Sequence, residues 1–177
     1  MSGNVGRPGS GRPPTRDDEV DLLIDAWSRR LPDADLSPLD VMSRLRRASL
    51  RLSRLRAEAF RAAGLAAWEF DVLAALGRAE PAHELNPAQL IERTKISSGA
   101  MTNRLTQLDK RGLVERLPHP RDGRSVLVRL TPAGAERVDA AMGELVRREE
   151  IELGALERRD RDELVRILRM LTAEEDG

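Results

Sequence analysis

Between Asn86 and Thr131 the start and stop signals for secondary structure crowd so closely that few folds satisfy them. Asn86, followed by Pro87 and Gln89, is a capping-box start and predicts a short helix to about Thr94. Ser97 or Ser98 then opens a second helix, which ends at Gly112. Residues 113–117 and 125–130 read as strands, and residues 118–124, rich in proline, glycine and arginine, read as the basic tip of a β-hairpin. Thr131 and Pro132 begin a long helix. A short helix, a tight turn, a longer helix and a hairpin in that order make a winged helix-turn-helix.

Helices flank this unit on both sides. Residues 17–30 form a first one, with an acidic first turn and apolar Val20, Leu22, Leu23, Ile24 and Trp27; Leu31 and Pro32 stop it. Ser37 caps a second, Pro38 sits at its first position and Gly64 lies just past its end. Met42, Leu45, Leu52 and Leu55 share one stripe of it, and Arg44, Arg47, Arg51 and Arg54 share another. A third helix covers residues 67–76 and closes at Gly77. Near the C-terminus, Asp160 with Glu163 is read as the cap of a last helix with apolar Leu164, Ile167, Leu168 and Leu171. The fold class is therefore mainly α with a small β-hairpin wing. Four segments are expected: a disordered tail at 1–16, N-terminal helices at 17–64, the winged helix-turn-helix at 65–131, and C-terminal helices at 132–177.

Charge decides what such a unit can touch. The chain has 30 basic and 30 acidic residues, which taken alone argues against nucleic acid. The distribution of those charges points the other way. Residues 93–124 hold eight bases against three acids, whereas 136–176 hold thirteen acids against eight bases. A phosphate backbone meets the local charge, so the basic middle is what counts. The absence of cysteine excludes disulfides, thiolate metal sites and thiol redox sensing. Isolated histidines at 83 and 119, no tyrosine and no metal-ligand spacing leave an enzyme without machinery, and no metal or cofactor is expected. No apolar run is long enough for a membrane span and no signal core is present, so a cytoplasmic protein without a membrane partner is expected.

On the second helix of the pair, Met101, Leu105 and Leu108 lie at spacings of four and three and face the core. Thr102, Asn103, Thr106, Gln107 and Lys110 are left for the outer face, where amides and hydroxyls can read base edges in a major groove. Ser97 and Ser98 at the helix start suit phosphate, and Arg121 and Arg124 at the wing tip suit a narrow minor groove. The expected partner is double-stranded DNA.

Asp122-Gly123-Arg124 followed by Leu130-Thr131-Pro132-Ala133-Gly134 resembles the wing and its exit in the MarR family of bacterial transcription regulators. Leu108-Asp109-Lys110-Arg111-Gly112-Leu113-Val114 is similar to that family's end of the recognition helix. The likeness spans residues 38–175. It implies a homodimer, closed by N- and C-terminal helices, that reads a pseudo-palindromic operator with two winged helices. The last helices agree, since they carry more apolar surface than a lone wing domain could hide.

The extra N-terminal helix resembles the urate-responsive subgroup of that family. By that resemblance Trp27, Asp71, Arg104 and Arg116 form a ligand site. A planar monoanion such as urate would stack on Trp27, take a bidentate contact from an arginine, repel Asp71 and compete for the arginines. Because Arg104 is in the reading helix, that competition can move the helix in its groove. The expected protein is a ligand-responsive regulator, in the sense of a repressor released by urate or a related planar anion; xanthine and salicylate-like phenols also fit. The alternative is a winged-helix module that binds a protein partner and no small molecule. Salt separates the two, because phosphate contacts weaken steeply with ionic strength and apolar contacts do not.

Overall fold

The structure, a computed structural model, describes residues 18–119 and 122–173. It groups them into two compact units that divide within one long helix, between residues 51 and 52.

The first unit holds α1 (Glu19–Ser28) and the beginning of α2 (Ser37–Ala62). Asp18 caps α1 through a reciprocal box: its carboxylate accepts from the Val20 and Asp21 amides at 2.8 and 3.1 Å, and the Asp21 carboxylate accepts from the Asp18 amide at 2.8 Å. The arginine stripe read on α2 has a use here. Arg44 gathers Asp18 at 3.0 Å and Asp21 at 2.8 Å together with Asp40, while Arg47 pairs with Glu19. Leu22, Trp27, Val41 and Met42 stay exposed.

The second unit contains the core. At its centre α3 (Ala67–Gly77) buries every residue from Val72 to Leu76. Phe60 and Phe70 stack there with ring centroids 3.9 Å apart. The wing is built from β2 (Val114–His119) and β3 (Asp122–Leu130), and a strand that the sequence pattern does not predict joins them: β1 (Glu84–Leu85). The sheet order is β1-β3-β2, all antiparallel. Register explains how two residues suffice for β1. Glu84 and Glu115 both stand opposite Arg129, whose guanidinium bonds Glu84 at 2.5 Å and Glu115 at 3.2 Å, so one side chain ties all three strands.

Thr131 caps α6 (Pro132–Glu152), accepting from the Gly134 amide at 3.0 Å and donating to the Gly112 carbonyl at 2.7 Å. Gly134 lies against the Leu113 carbonyl and the Leu130 side chain, where a Cβ would collide with both. A 3-10 turn (Leu153–Ala155) then leads to α7 (Arg158–Thr172). The start of α7 corrects the expectation from sequence. Its cap is Glu157; Asp160 lies inside the first turn, where a carboxylate favours the helix dipole without capping, and Glu163 pairs with Arg166 at 2.7 Å. Arg161 moves the start upstream by bonding the Leu153 and Leu156 carbonyls at 2.8 and 3.2 Å. Among the described residues no helix is long and apolar enough to cross a membrane.

Candidate nucleic-acid interface and anion cleft

The helix-turn-helix is α4 (Pro87–Thr94) and α5 (Ser98–Lys110). Asn86 and Gln89 make the expected capping box, each side chain accepting from the other's amide at 2.9 Å. At the far end of α4, Lys95 takes a left-handed conformation and its amide bonds the Ile91 carbonyl at 2.8 Å. That single reversal turns the chain into α5 within three residues. Ser97 is the N-cap of α5, yet its hydroxyl accepts no backbone amide, and both Ser97 and Ser98 are exposed. The first-turn donors of α5 thus have no side-chain cap.

Met101, Leu105 and Leu108 are buried, as their spacing requires. Thr102, Asn103, Gln107 and Lys110 are exposed on the remaining surface of α5, with Thr106 half-buried beside them. The Gln107 amide donates to the Asn103 carbonyl oxygen at 3.4 Å, so these two amides are neighbours one turn apart. Two arginines hold the helix. Arg111, just past its end, pairs with the buried Glu69 of α3 and donates to the Gly64 carbonyl at 2.8 Å. Arg116, on β2, donates to the Thr106 hydroxyl at 2.9 Å and the Thr102 carbonyl at 3.3 Å, and Thr106 in turn donates to that same carbonyl at 3.0 Å. Thr106 therefore has its hydroxyl engaged with partners of its own chain. Of the wing-tip residues, Arg121 and the side chain of Arg124 lie outside the described residues.

A second feature is a cleft of about 340 Å³ lined by Arg56 of α2, Phe70, Asp71 and Ala74 of α3, Arg78 beyond its end, Arg93 and Thr94 of α4, and Met142 of α6. Burial pushes the Asp71 carboxyl above its usual range, against the pull of Arg56, Arg104 and Arg78. Arg104 is half-buried, with its guanidinium 5.3 Å from the centre of the Trp68 ring. Asp71 and Arg104 thus sense each other's charge, whereas Arg116 spends its guanidinium on α5. Trp27 belongs to the first unit, 41% exposed, with Arg30 placed 5.5 Å from its ring centre.

Arg56, Arg78, Arg93 and Trp68 do not stand out in the sequence. Arg56 falls off the arginine stripe of α2, and periodicity states which residues share a face without stating which neighbouring element that face meets. Only the packing of α2 on α3 brings Arg56 toward Asp71. Among the described residues no cluster of histidine, aspartate or glutamate could hold a metal ion.

Known proteins with this arrangement regulate transcription. A family model described as the MarR family matches residues 63–125, which run from just past α2 into β3 of the wing. The HTH-type transcriptional regulator PecS of Dickeya dadantii is 33% identical over 131 residues, covering 74% of this chain and 79% of PecS. A mutant MarR from E. coli complexed with operator DNA has a TM-score of 0.62 and 27% identity, covering 78% of this chain and 99% of that one. Bordetella bronchiseptica BpsR, whose DNA binding is regulated by 6-hydroxynicotinic acid, has a TM-score of 0.61 and 26% identity, covering 76% of this chain and 94% of its own. With a matching family model, a relative of this extent and a helix-turn-helix whose second helix exposes Thr102, Asn103, Gln107 and Lys110, the chain belongs to the MarR family of winged helix-turn-helix, DNA-binding transcriptional regulators.

Proposed function

We propose that the protein is a homodimeric, cytoplasmic repressor that binds a pseudo-palindromic operator and is released by urate or a related planar anion. The observation that carries the reading is α5 itself. Asn103, Gln107 and Lys110 are exposed on a helix whose opposite face is locked into the core, held by Arg111 just past its C-terminal end and by Arg116 at Thr102 and Thr106. Asn103 and Gln107 supply amides suited to adenine edges; Ser97, Ser98, Lys110, Arg121 and Arg124 supply phosphate or groove-shape contacts.

Dimerisation is supported by apolar side chains left in water on the last two helices. Val146 is 55% exposed, Ile151 67%, Met170 67% and Leu171 55%, more apolar surface than an isolated helix pair tolerates. Two copies related by a two-fold axis would bury these faces and set the reading heads about one DNA turn apart.

Release by a planar anion is supported by the electrostatic coupling of Asp71 to Arg104, a residue of the reading helix. BpsR supports the same idea, since its regulator is a planar aromatic acid. An anion in the cleft repels Asp71 and competes for its arginines. A coupling of about 1–3 kcal/mol reduces DNA affinity 5- to 150-fold. Trp27 enters this reading through the family resemblance, and Arg116 enters as a holder of α5.

A gel shift on an operator-sized duplex, run with and without urate, tests the reading. Urate is expected to release the wild type, and Arg104→Ala is expected to bind DNA without urate-induced release. Release unchanged in that variant removes Arg104 from the ligand response. Complexes insensitive to salt between about 50 and 200 mM would remove phosphate binding from the reading altogether.

A further inference from the structure

Among the described residues Glu69 is the one charged side chain that is buried, and burying a carboxylate is costly unless its oxygens are answered. Local sequence answers one of them. Glu69 stands in the first turn of α3, and its Oε2 reaches back to accept the Ala66 amide at 2.8 Å, where Ala66 has no capping side chain of its own. Oε1 is answered from far along the chain, by Nη1 of Arg111. The same guanidinium donates through Nη2 to the Gly64 carbonyl at 2.8 Å. That carbonyl lies at a turned corner. The chain leaves α2 with Gly64 in the left-handed region at φ 72°, the Leu65 amide bonded back to Phe60 and the Gly64 amide to Arg61, both at 2.9 Å. From α6, Arg137 donates to the neighbouring Ala63 carbonyl at 3.0 Å. Two arginines thus grip the corner between α2 and α3, and Arg111 is the grip that belongs to the reading helix, as its C-cap residue.

We propose that Glu69 and Arg111 are positioning residues for base reading: they fix the C-terminal end of α5 on the α2–α3 corner, and operator discrimination depends on them although both are spent on groups of their own chain. Hydrogen bonds to base edges are directional, so Asn103 and Gln107 discriminate only where their helix is held to a fraction of an ångström. Ser97 gives the N-terminal end of α5 no side-chain cap, and Arg116 holds its middle, at Thr102 and Thr106. Arg111 is the tie at the end nearest Lys110. The fork matters there. Arginine presents separate donors to the carboxylate and the carbonyl, whereas lysine is a point charge on a flexible stem. This role concerns DNA reading alone and needs neither a ligand nor a second copy of the chain.

Competition binding tests it with two duplexes, one enriched by the wild type from a random pool and a scrambled one of the same composition. Glu69→Gln leaves one acceptor oxygen for two donors, and Arg111→Lys keeps the charge without the fork. Each is expected to weaken the enriched duplex about ten-fold and the scrambled one less than about two-fold, with the salt slope of the wild type. Glu69→Gln combined with Arg111→Gln is expected to bind no more weakly than Arg111→Gln alone, because one pair is lost only once. Melting curves set the assay below the unfolding of every variant, and the Arg111 variants decide if Glu69→Gln does not fold. Unchanged discrimination in the folded Arg111 variants overturns the proposal, since a merely structural pair leaves it so. Equal losses on both duplexes, with the salt slope of Arg111→Gln reduced by about one, overturn it in favour of a phosphate contact. Additive losses in the double variant overturn the pairing of the two residues.

Discussion

Arg111 and Arg116 show how little a residue's type says about its job. Both are basic residues of the winged helix-turn-helix, and both bond groups of their own chain. Arg111 reaches the buried Glu69, and Arg116 closes on the Thr106 hydroxyl. Gly134 makes the same point from the opposite side. It carries no chemistry, yet its missing Cβ is what lets α6 start against the Leu113 carbonyl. Gly134→Ala is expected to destabilise the protein by about 1–3 kcal/mol, because backbone must move to admit the methyl group; urea unfolding measures it, and an unchanged midpoint would show that the contact relaxes freely. Asp71 behaves differently again. Burial raises its pKa, so its ionised form opposes folding: stability is greatest below its ordinary range near 3.8 and is lost as pH rises through the raised folded value. Asp71→Asn should therefore raise the melting temperature at pH 7 and leave it nearly unchanged at about pH 3.5. A lower melting temperature at pH 7 would mean that the arginines depend on this carboxylate for stability.

Among the elements, α4 and α5 were fully legible in the sequence. The cap of α4 is local, made by side chains three residues apart, and the buried stripe of α5 is set by a period of 3.6. β1 was not legible. A two-residue strand has no periodicity of its own and exists because Glu84 and Glu115 both meet Arg129, residues distant in sequence. The start of α7 differs from its local pattern for a related reason, since Arg161 bonds carbonyls upstream of the cap which that pattern suggests. The exposed face of α5 gives a prediction at this scale. Asn103→Ala is expected to relax discrimination at one or two operator positions, each worth about 1–3 kcal/mol. Lys110→Ala is expected to weaken all sequences alike and reduce the salt slope by about one. Competition shifts on base-substituted duplexes separate the two; a uniform loss for Asn103→Ala would reassign it to the backbone.

At the scale of the molecule, neutrality conceals a division of labour. The basic stretch 93–124 carries the reading head, and acidic residues of α6 and α7 are engaged by arginines of their own helix or, for Glu149, by Arg56 of α2. Glu144 is the clearest of these. Arg147 and Arg148 hold its pKa down to about 2 from 4.5. Since its folded pKa is depressed, its contribution is present above pH 4.5 and lost as pH falls toward about 2. Glu144→Gln should therefore melt below the wild type at pH 7, with the gap closing between pH 4.5 and about 2; a gap constant with pH would make the ion pairs irrelevant to stability.

The sequence by itself determined the winged helix-turn-helix, the buried stripe of α5 and the basic middle, because caps, periodicity and local charge act over a few residues. Only the tertiary structure decided that Thr106 is tied to Arg116, that Arg56, Arg78 and Arg93 share a cleft with Asp71, and that a third strand closes the wing. Those contacts join side chains of different elements, which no local pattern links. A one-dimensional pattern says which face a side chain is on, and packing alone says what that face meets.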